Sequence, residues 1–346
     1  MKAILFNRNG GPEVLEEMEV QDPVPAPGEI VVRPSYTSMN NLDAMVRSGQ
    51  TRPPGMQMPH VPGSDIVGTV EGKGPGASGV EEGDRVVVNP LYGCGSCTEC
   101  RNGTEVLCQS WKSVGIHSWG SYAELVKVPC PTAIRAPDGV ADMDLGCMPI
   151  CLSVSWRSLH WASAAREGET VVVRGASGNA GIFLMLLSKA TGLETIAITR
   201  SAAKEQELRR IGADRVVVSN GDDEETAREV MAMTGSRGAD IVCDPFGTTI
   251  PGSISMLRHG GRLVTFGVLS GKDVSMDMKR YYWKSIRMIG VHHASTSELA
   301  EALAFVAEKG VKPVIAKKLR IRDAQEAHRL FASSSLVGKI SMRHEW

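Results

Sequence analysis

Cys94-Gly-Ser-Cys97-Thr-Glu-Cys100 is followed after seven intervening residues by Cys108, so four of the chain's eight cysteines fall within one short excursion. Four thiolates on such spacers can converge on a tetrahedral zinc ion at about 2.3 Å each, and four protein ligands leave no coordination position open. The expected role is structural, with one zinc per chain, and Gly95 and Gly103 supply a pliable backbone for it. Two disulfides or four unrelated thiols would fit the same spacing. The N-terminal Met-Lys-Ala-Ile-Leu-Phe gives way to polar Asn7, too short a run for a secretory core. That leads to the expectation of a cytoplasmic protein, where clustered cysteines hold a metal more often than a disulfide. Cys130, Cys147 and Cys243 read as buried small hydrophobes.

A second constellation lies in Val171-Val-Val-Arg174-Gly175-Ala-Ser177-Gly178-Asn179-Ala180-Gly181, which follows a strand-like apolar run and opens an apolar helix. Glycines at these three places allow a tight turn, backbone N–H groups close to a pyrophosphate, and close helix–strand packing. Ser177 to Gly181 should cradle a dinucleotide. Choice of cofactor is read at the end of the next strand, which ends in Thr199, Arg200 and, a little further on, Lys204. A carboxylate there would hold a ribose 2′-hydroxyl; a threonine with two cations suits a 2′-phosphate instead, so NADP(H) is expected.

These residues need a frame. At 346 residues, with 42% hydrophobic and 22% charged residues, two domains with real cores are expected. The 38 Lys+Arg against 39 Asp+Glu give no global positive field, which argues against nucleic acid and anionic membrane as partners. No apolar run has the length of a membrane span. The first 130 residues are punctuated by Pro and Gly around short runs such as Glu29 to Arg33, Ile66 to Glu71 and Arg85 to Asn89, an irregular and mostly antiparallel β pattern. From Glu169 onward the rhythm is strand, turn, helix. Strands are expected at Thr170–Val173, Thr195–Thr199, Asp214–Val218, Asp240–Cys243, Arg262–Phe266 and Ser285–Gly290, with helices near 180–191, 202–211, 222–234, 250–258 and 296–309. Alternating units of this length form a parallel, doubly wound α/β sheet of Rossmann type. A last helix near Arg322–Ser333 and a strand Gly338–Met342 follow.

The cysteine lobe ahead of the glycine turn resembles the medium-chain dehydrogenase/reductase superfamily, which includes zinc alcohol dehydrogenases and quinone oxidoreductases. Gly63-x-Asp65-x-x-Gly68, Glu82-Gly-Asp84-Arg85-Val86, Gly238-Ala-Asp240-Ile-Val-x-Asp244, Gly260-Gly261-Arg262 and Gly338-Lys339 extend the likeness over essentially the whole chain. The resemblance implies a GroES-like β-rich domain at 1–150, completed by 293–346, with the Rossmann domain at 151–292 inserted and the active cleft at their junction. It implies dimers or tetramers, so a homodimer or homotetramer is expected. It also places Phe266, Gly267 and Val268 against the nicotinamide and Lys339 near a phosphate, and Ser155 is counted with the cofactor residues.

The departures from that family carry the functional reading. Where its alcohol dehydrogenases place the first ligand of a catalytic zinc, this chain has Asn40; where they have Gly-His-Glu, it has Gly63-Ser64-Asp65; Cys151 stands close to the third ligand but out of register. Leu42 and Met45 replace the groups of the proton route. Without a Lewis acid or relay, alcohol oxidation loses its main charge stabilisation. The zinc-free quinone oxidoreductases and enoyl reductases are similar over Met39-Asn40-x-x-Asp43 and Pro59-His60-Val-Pro-Gly63-Ser-Asp65. An NADPH-dependent reductase of electrophilic small molecules, α,β-unsaturated carbonyls or quinones, is therefore expected, with Asn40, Asp43, Ser64 and Asp65 at its site. An alcohol or aldehyde dehydrogenase with a metal improvised from Asp43, Asp65 and Cys151, and a catalytically silent NADPH-binding protein, are the competing readings.

Overall fold

A computed structural model describes residues 1–346. The chain divides into two units, Met1–Ser153 with His293–Trp346, and Val154–His292.

The inserted unit is built on a six-stranded sheet. In spatial order its strands are Arg215–Val218, Glu194–Thr199, Thr170–Arg174, Ala239–Asp244, Leu257–Thr265 and Arg287–Gly290, every neighbouring pair parallel. Thr170–Arg174 and Ala239–Asp244 are buried at every residue, because helices cover both faces and the strands carry continuous apolar runs rather than alternation. Val172, Ile196, Val217, Val242 and Leu263 from five strands pack with Val230 and Ile254 from helices Asp223–Met233 and Ile250–Met256. The strand order reverses between Thr170–Arg174 and Ala239–Asp244, the place where sheets of this kind open a crevice at the strands' carboxyl ends.

Two local readings change. The helix expected over 250–258 stops at Met256, and Leu257 already pairs with Ala239 before the register slips to Ile241 and Arg262. Gly260, at φ +70°, takes up that bulge in the left-handed region where a side chain would be strained. A short helix, Met278–Trp283, precedes the edge strand; Asp277 caps it by accepting from the N–H groups of Lys279 and Arg280. Tyr282 and Trp283 on it stay exposed, as does Met288 on the edge strand.

The other unit is organised around the ten-residue strand Glu29–Ser38. It pairs antiparallel with Val67–Lys73, Val126–Pro129 and the C-terminal strand Lys339–Arg343, so the chain's end completes the sheet begun near its start. Arg85–Val88 and Ala133–Arg135 extend one side, and the unforeseen strand Ile315–Arg320 lies parallel to Lys339–Arg343 on the other. Ile30, Val32, Val70, Val86, Val126 and Val128 form one core; Phe6, Met39, Val46, Tyr122, Ile321 and Met342 belong to another. No helix is long and apolar enough to cross a membrane.

Candidate functional site

The four cysteines of the lobe come together with sulfur atoms all within 4.8 Å of one another, and none is in a disulfide. Cys94 Sγ and Cys100 Sγ are 3.9 Å apart, close to the roughly 3.8 Å edge of a tetrahedron of thiolates around zinc. The N–H groups of Cys94 and Cys97 donate to Cys108 Sγ and Cys94 Sγ, each at 3.4 Å, which suits sulfur carrying negative charge. A Cβ at Gly93 would fall on Cys100 Sγ, so the missing side chain makes room for the donor set. These residues fit a closed, structural zinc site.

The dinucleotide turn joins Thr170–Arg174 to helix Asn179–Ala190. Gly175 sits at φ +64°, Gly178 is the helix N-cap, and the Gly178 N–H closes the turn on the Gly175 carbonyl at 2.9 Å. Ser155 donates to the Ala180 carbonyl at 3.1 Å, bracing the first turn of the helix. Beneath the turn, buried Arg174 reaches Asp223 and the Ser253 hydroxyl, while Asp244 accepts from Thr249, Ser253 and the Phe246 N–H. Phe246 is a residue the sequence reading missed: its ring lies against Gly175, and a Cβ there would meet it at 3.0 Å. The available signal was Asp244-Pro245-Phe246-Gly247 directly after a central strand. Phe266 and Gly267 are half-buried and Val268 exposed on the loop after the next strand, which is tied back by Leu269 N–H to the Pro245 carbonyl. Thr199 ends its strand buried, Arg200 is exposed and Lys204 half-buried; the Thr199 hydroxyl accepts from the Ser201 N–H at 3.2 Å. Anion-binding N–H groups at a helix start and cations beyond the neighbouring strand suit a dinucleotide.

In the unit formed by both chain ends, a polar cluster is buried at the end of Glu29–Ser38. Ser341 pairs with Ser38, and continuing that register by two residues sets Lys339 opposite Asn40. Lys339 Nζ donates to Asn40 Oδ1 at 2.7 Å and to Asp65 Oδ2 at 3.1 Å, and lies 3.8 Å from Cys151 Sγ. Asp65 also accepts from Asn40 Nδ2 at 2.7 Å, Ser38 Oγ at 2.5 Å and the Ile150 N–H at 2.8 Å. Burial by itself would lower the Lys339 pKa, but the Asp65 carboxylate more than offsets it, so the ammonium holds its proton above the usual lysine range. Burial pushes the Cys151 thiol up to about 11 despite that ammonium, leaving it protonated at neutral pH.

The geometry redistributes the expected roles. Lys339, expected near a cofactor phosphate, is 2% exposed and turned inward, because strand pairing aims it at Asp65. Asn40, expected at the catalytic site, donates its Nδ2 to Asp65 and so orients the cluster. Ser64 Oγ donates to the Val114 carbonyl at 3.0 Å and ties down a loop. His60 does likewise, with Nε2 at 3.0 Å from the Gly115 carbonyl.

Asp43 Oδ2 accepts from the Asn40 N–H at 2.8 Å and so caps the helix Asn41–Ser48. Burial raises its pKa to about 7, and the nearby Asp65 charge adds to this. A carboxyl whose folded pKa lies above its unfolded value withdraws stability as pH rises from the unfolded pKa toward the folded one. Asp43→Asn should therefore match the wild type near pH 4 and exceed it at pH 8, by as much as about 4 kcal/mol. Thermal unfolding of both proteins across that range checks this; a stability difference that does not grow between pH 4 and pH 8 contradicts it.

Two family models match the chain: the alcohol dehydrogenase GroES-like domain over residues 26–138 and the zinc-binding dehydrogenase over residues 180–308. Acryloyl-coenzyme A reductase of Metallosphaera sedula is 30% identical over 342 residues, covering 98% of this chain and 99% of that protein. Quinone oxidoreductase of Rattus norvegicus is 26% identical over 350 residues, covering 98% and 97%. The crystal structure of an NAD-dependent alcohol dehydrogenase superposes with a TM-score of 0.92 at 32% identity, covering all of both chains. The chain belongs to the medium-chain dehydrogenase/reductase superfamily, with the zinc-type alcohol dehydrogenases and quinone oxidoreductases. It is an oxidoreductase with a GroES-like domain and a Rossmann-type sheet.

Proposed function

We propose that this enzyme reduces the carbon–carbon double bond of α,β-unsaturated carbonyl compounds, enoyl thioesters or enones, or reduces quinones, with NADPH as hydride donor and without a catalytic zinc. One observation carries the reading: at the positions where a catalytic metal would need a cysteine and a histidine, the chain offers Asn40 and Ser64, and the neighbouring cluster is centred on the Lys339 ammonium. The likeness to an acryloyl-coenzyme A reductase over nearly the whole chain supports the same reaction class.

NADPH, when bound, supplies the hydride. The chain's own contribution begins with the helix start at Asn179, whose N–H groups and dipole suit a pyrophosphate. Arg200 and Lys204 suit a 2′-phosphate, and Thr199 presents no carboxylate to repel it. Hydride addition to a conjugated alkene leaves an enolate, which needs positive charge and hydrogen-bond donors fixed in advance and then a proton. The cluster holds an ammonium and a thiol protonated at neutral pH, a preset cation and a proton store that owe nothing to a metal-lowered alcohol pKa.

Stopped-flow oxidation of NADPH by a panel of enoyl thioesters, enones and quinones tests the proposal; no turnover across the panel overturns it. NADPH should bind at least about tenfold tighter than NADH, roughly 1.4 kcal/mol, as read by fluorescence titration. Equal dissociation constants would remove the assignment of Arg200 and Lys204.

A further inference from the structure

We propose that Lys339 is the built-in cation of the buried cluster: its ammonium fills the space between Asn40 Oδ1, Asp65 Oδ2 and Cys151 Sγ that a divalent metal ion would take, and thereby keeps a second metal out. The inference rests on the zinc-free reading above and names the residue responsible for it.

The donor atoms around Nζ are the kind a metal collects: a carboxylate oxygen, an amide oxygen and a sulfur, at 3.1, 2.7 and 3.8 Å from it. A zinc or cobalt ion held by them would sit about 2.0–2.3 Å from each, in the volume the ammonium occupies. The two cations are therefore alternatives. Lys339 has little freedom to yield, since its side chain is buried and its own N–H is anchored on the Val314 carbonyl at 2.8 Å. Charge points the same way. Asp65 and Lys339 compensate each other away from water, and a dication added to that pair would leave an excess positive charge with almost no solvent to spread it. Remove the ammonium, and the Asp65 carboxylate is left with only neutral donors beside a thiol that can ionise onto a metal.

Cobalt titration of the zinc-loaded protein reads this directly. The wild type should bind metal only at the four-cysteine lobe, one ion per chain. Lys339→Met, which keeps the stem and drops the charge, should take a second ion, with a thiolate-to-cobalt band that disappears in Lys339→Met/Cys151→Ser; Lys339→Arg should stay at one. A second ion in the wild type, or none in Lys339→Met, overturns the proposal. If Lys339→Met does not fold, Asp65→Asn/Lys339→Met removes both charges together and should fold, with a melting temperature on the order of 10 °C above any residual transition of the single variant. Equal loss in the single and double variants also overturns it. Metal stoichiometry is independent of turnover: an inactive protein holding one zinc would sink the proposed reaction and leave Lys339 standing, whereas an active enone reductase holding two would do the reverse.

Discussion

Gly181→Val should weaken NADPH binding by at least about 100-fold, roughly 2.8 kcal/mol, and lower the melting temperature of the nucleotide-binding unit as well. Gly181 is the third residue of helix Asn179–Ala190, where a Cβ would land on the Gly175 carbonyl oxygen and lie 2.8 Å from Ala176 Cα. Both obstacles are backbone, so no rotamer change relieves them. Relief requires the helix to lift away from the strand, and that breaks the closure of Gly178 N–H on the Gly175 carbonyl and turns the N–H groups at the helix start. Gly178→Ala is the milder companion: its Cβ would meet only the Gly175 oxygen, at 3.2 Å, so a loss of a few-fold is expected. Isothermal titration with NADPH, alongside circular dichroism to show that each variant is folded, separates lost affinity from lost structure. A folded Gly181→Val protein that binds within threefold of the wild type would show that this turn does not hold the cofactor.

The glycine turn was legible because its chemistry is local. A tight turn, an N-cap and a close helix–strand contact are demands met within seven residues, and no distant segment has to be known. The cysteine lobe was legible for the same reason. The parallel sheet was readable from its buried strands, whose apolar runs follow from having helices on both faces. What could not be read were features made by pairing across long sequence separations. Lys339 lies 274 residues from Asp65 and 299 from Asn40, and only the register of the C-terminal strand against Glu29–Ser38 brings them together. Nothing near Gly338-Lys339 announces a buried ammonium, since lysines are seldom buried without a partner and the partner is elsewhere in the chain. Strand Ile315–Arg320 escaped notice because Lys317, Lys318 and Arg320 give it no apolar alternation, and its parallel pairing with Lys339–Arg343 supplies the stability its own sequence lacks.

That cluster also bears on what Asn40 and Ser64 mean at the positions where the resemblance expects metal ligands. Residues other than cysteine and histidine at these positions could leave a void or a loose polar pocket; here Asp65 has four donors, Ser38, Asn40, Ile150 and Lys339. All four are hydrogen bonds to the carboxylate itself, and a separate bond from the Asn40 N–H to Asp43 fixes the backbone that carries Asn40. A group so fully satisfied is rigid, and rigidity is what a site needs if its charges are to be in place before a substrate arrives.

Stripping the structural zinc should disturb a place well beyond the four cysteines. Between Cys100 and Cys108 the lobe carries Glu105, whose Oε1 accepts from the Thr296 N–H at 2.6 Å, at the start of helix Thr296–Lys309. Just ahead of the lobe, Asn89 Nδ2 donates to the Ala294 carbonyl at 3.2 Å. The first-turn N–H groups of a helix have no partner within it, and here Ser295, Glu298 and Glu105 share that work, so the lobe supplies one of the caps where the chain re-enters this unit. Structural zinc contributes on the order of 10 kcal/mol to folding its own ligands in isolated fingers, and the thiolates left behind repel one another once the ion has gone. The lobe should unfold locally, Glu105 should leave Thr296, and the melting temperature should fall by on the order of 10 °C, since several kcal/mol are lost from a chain of this size. Hydrogen exchange before and after removal of the metal with a thiol reagent and chelator reads the two regions separately: residues 93–112 should lose protection outright, and residues 294–299 by about tenfold, the value expected for one lost cap of about 1.4 kcal/mol. Restored zinc should reverse both. Exchange that rises in the lobe but leaves 294–299 unchanged would mean that the helix start is held without Glu105, and a Glu105→Gln variant would then show the same protection as the wild type.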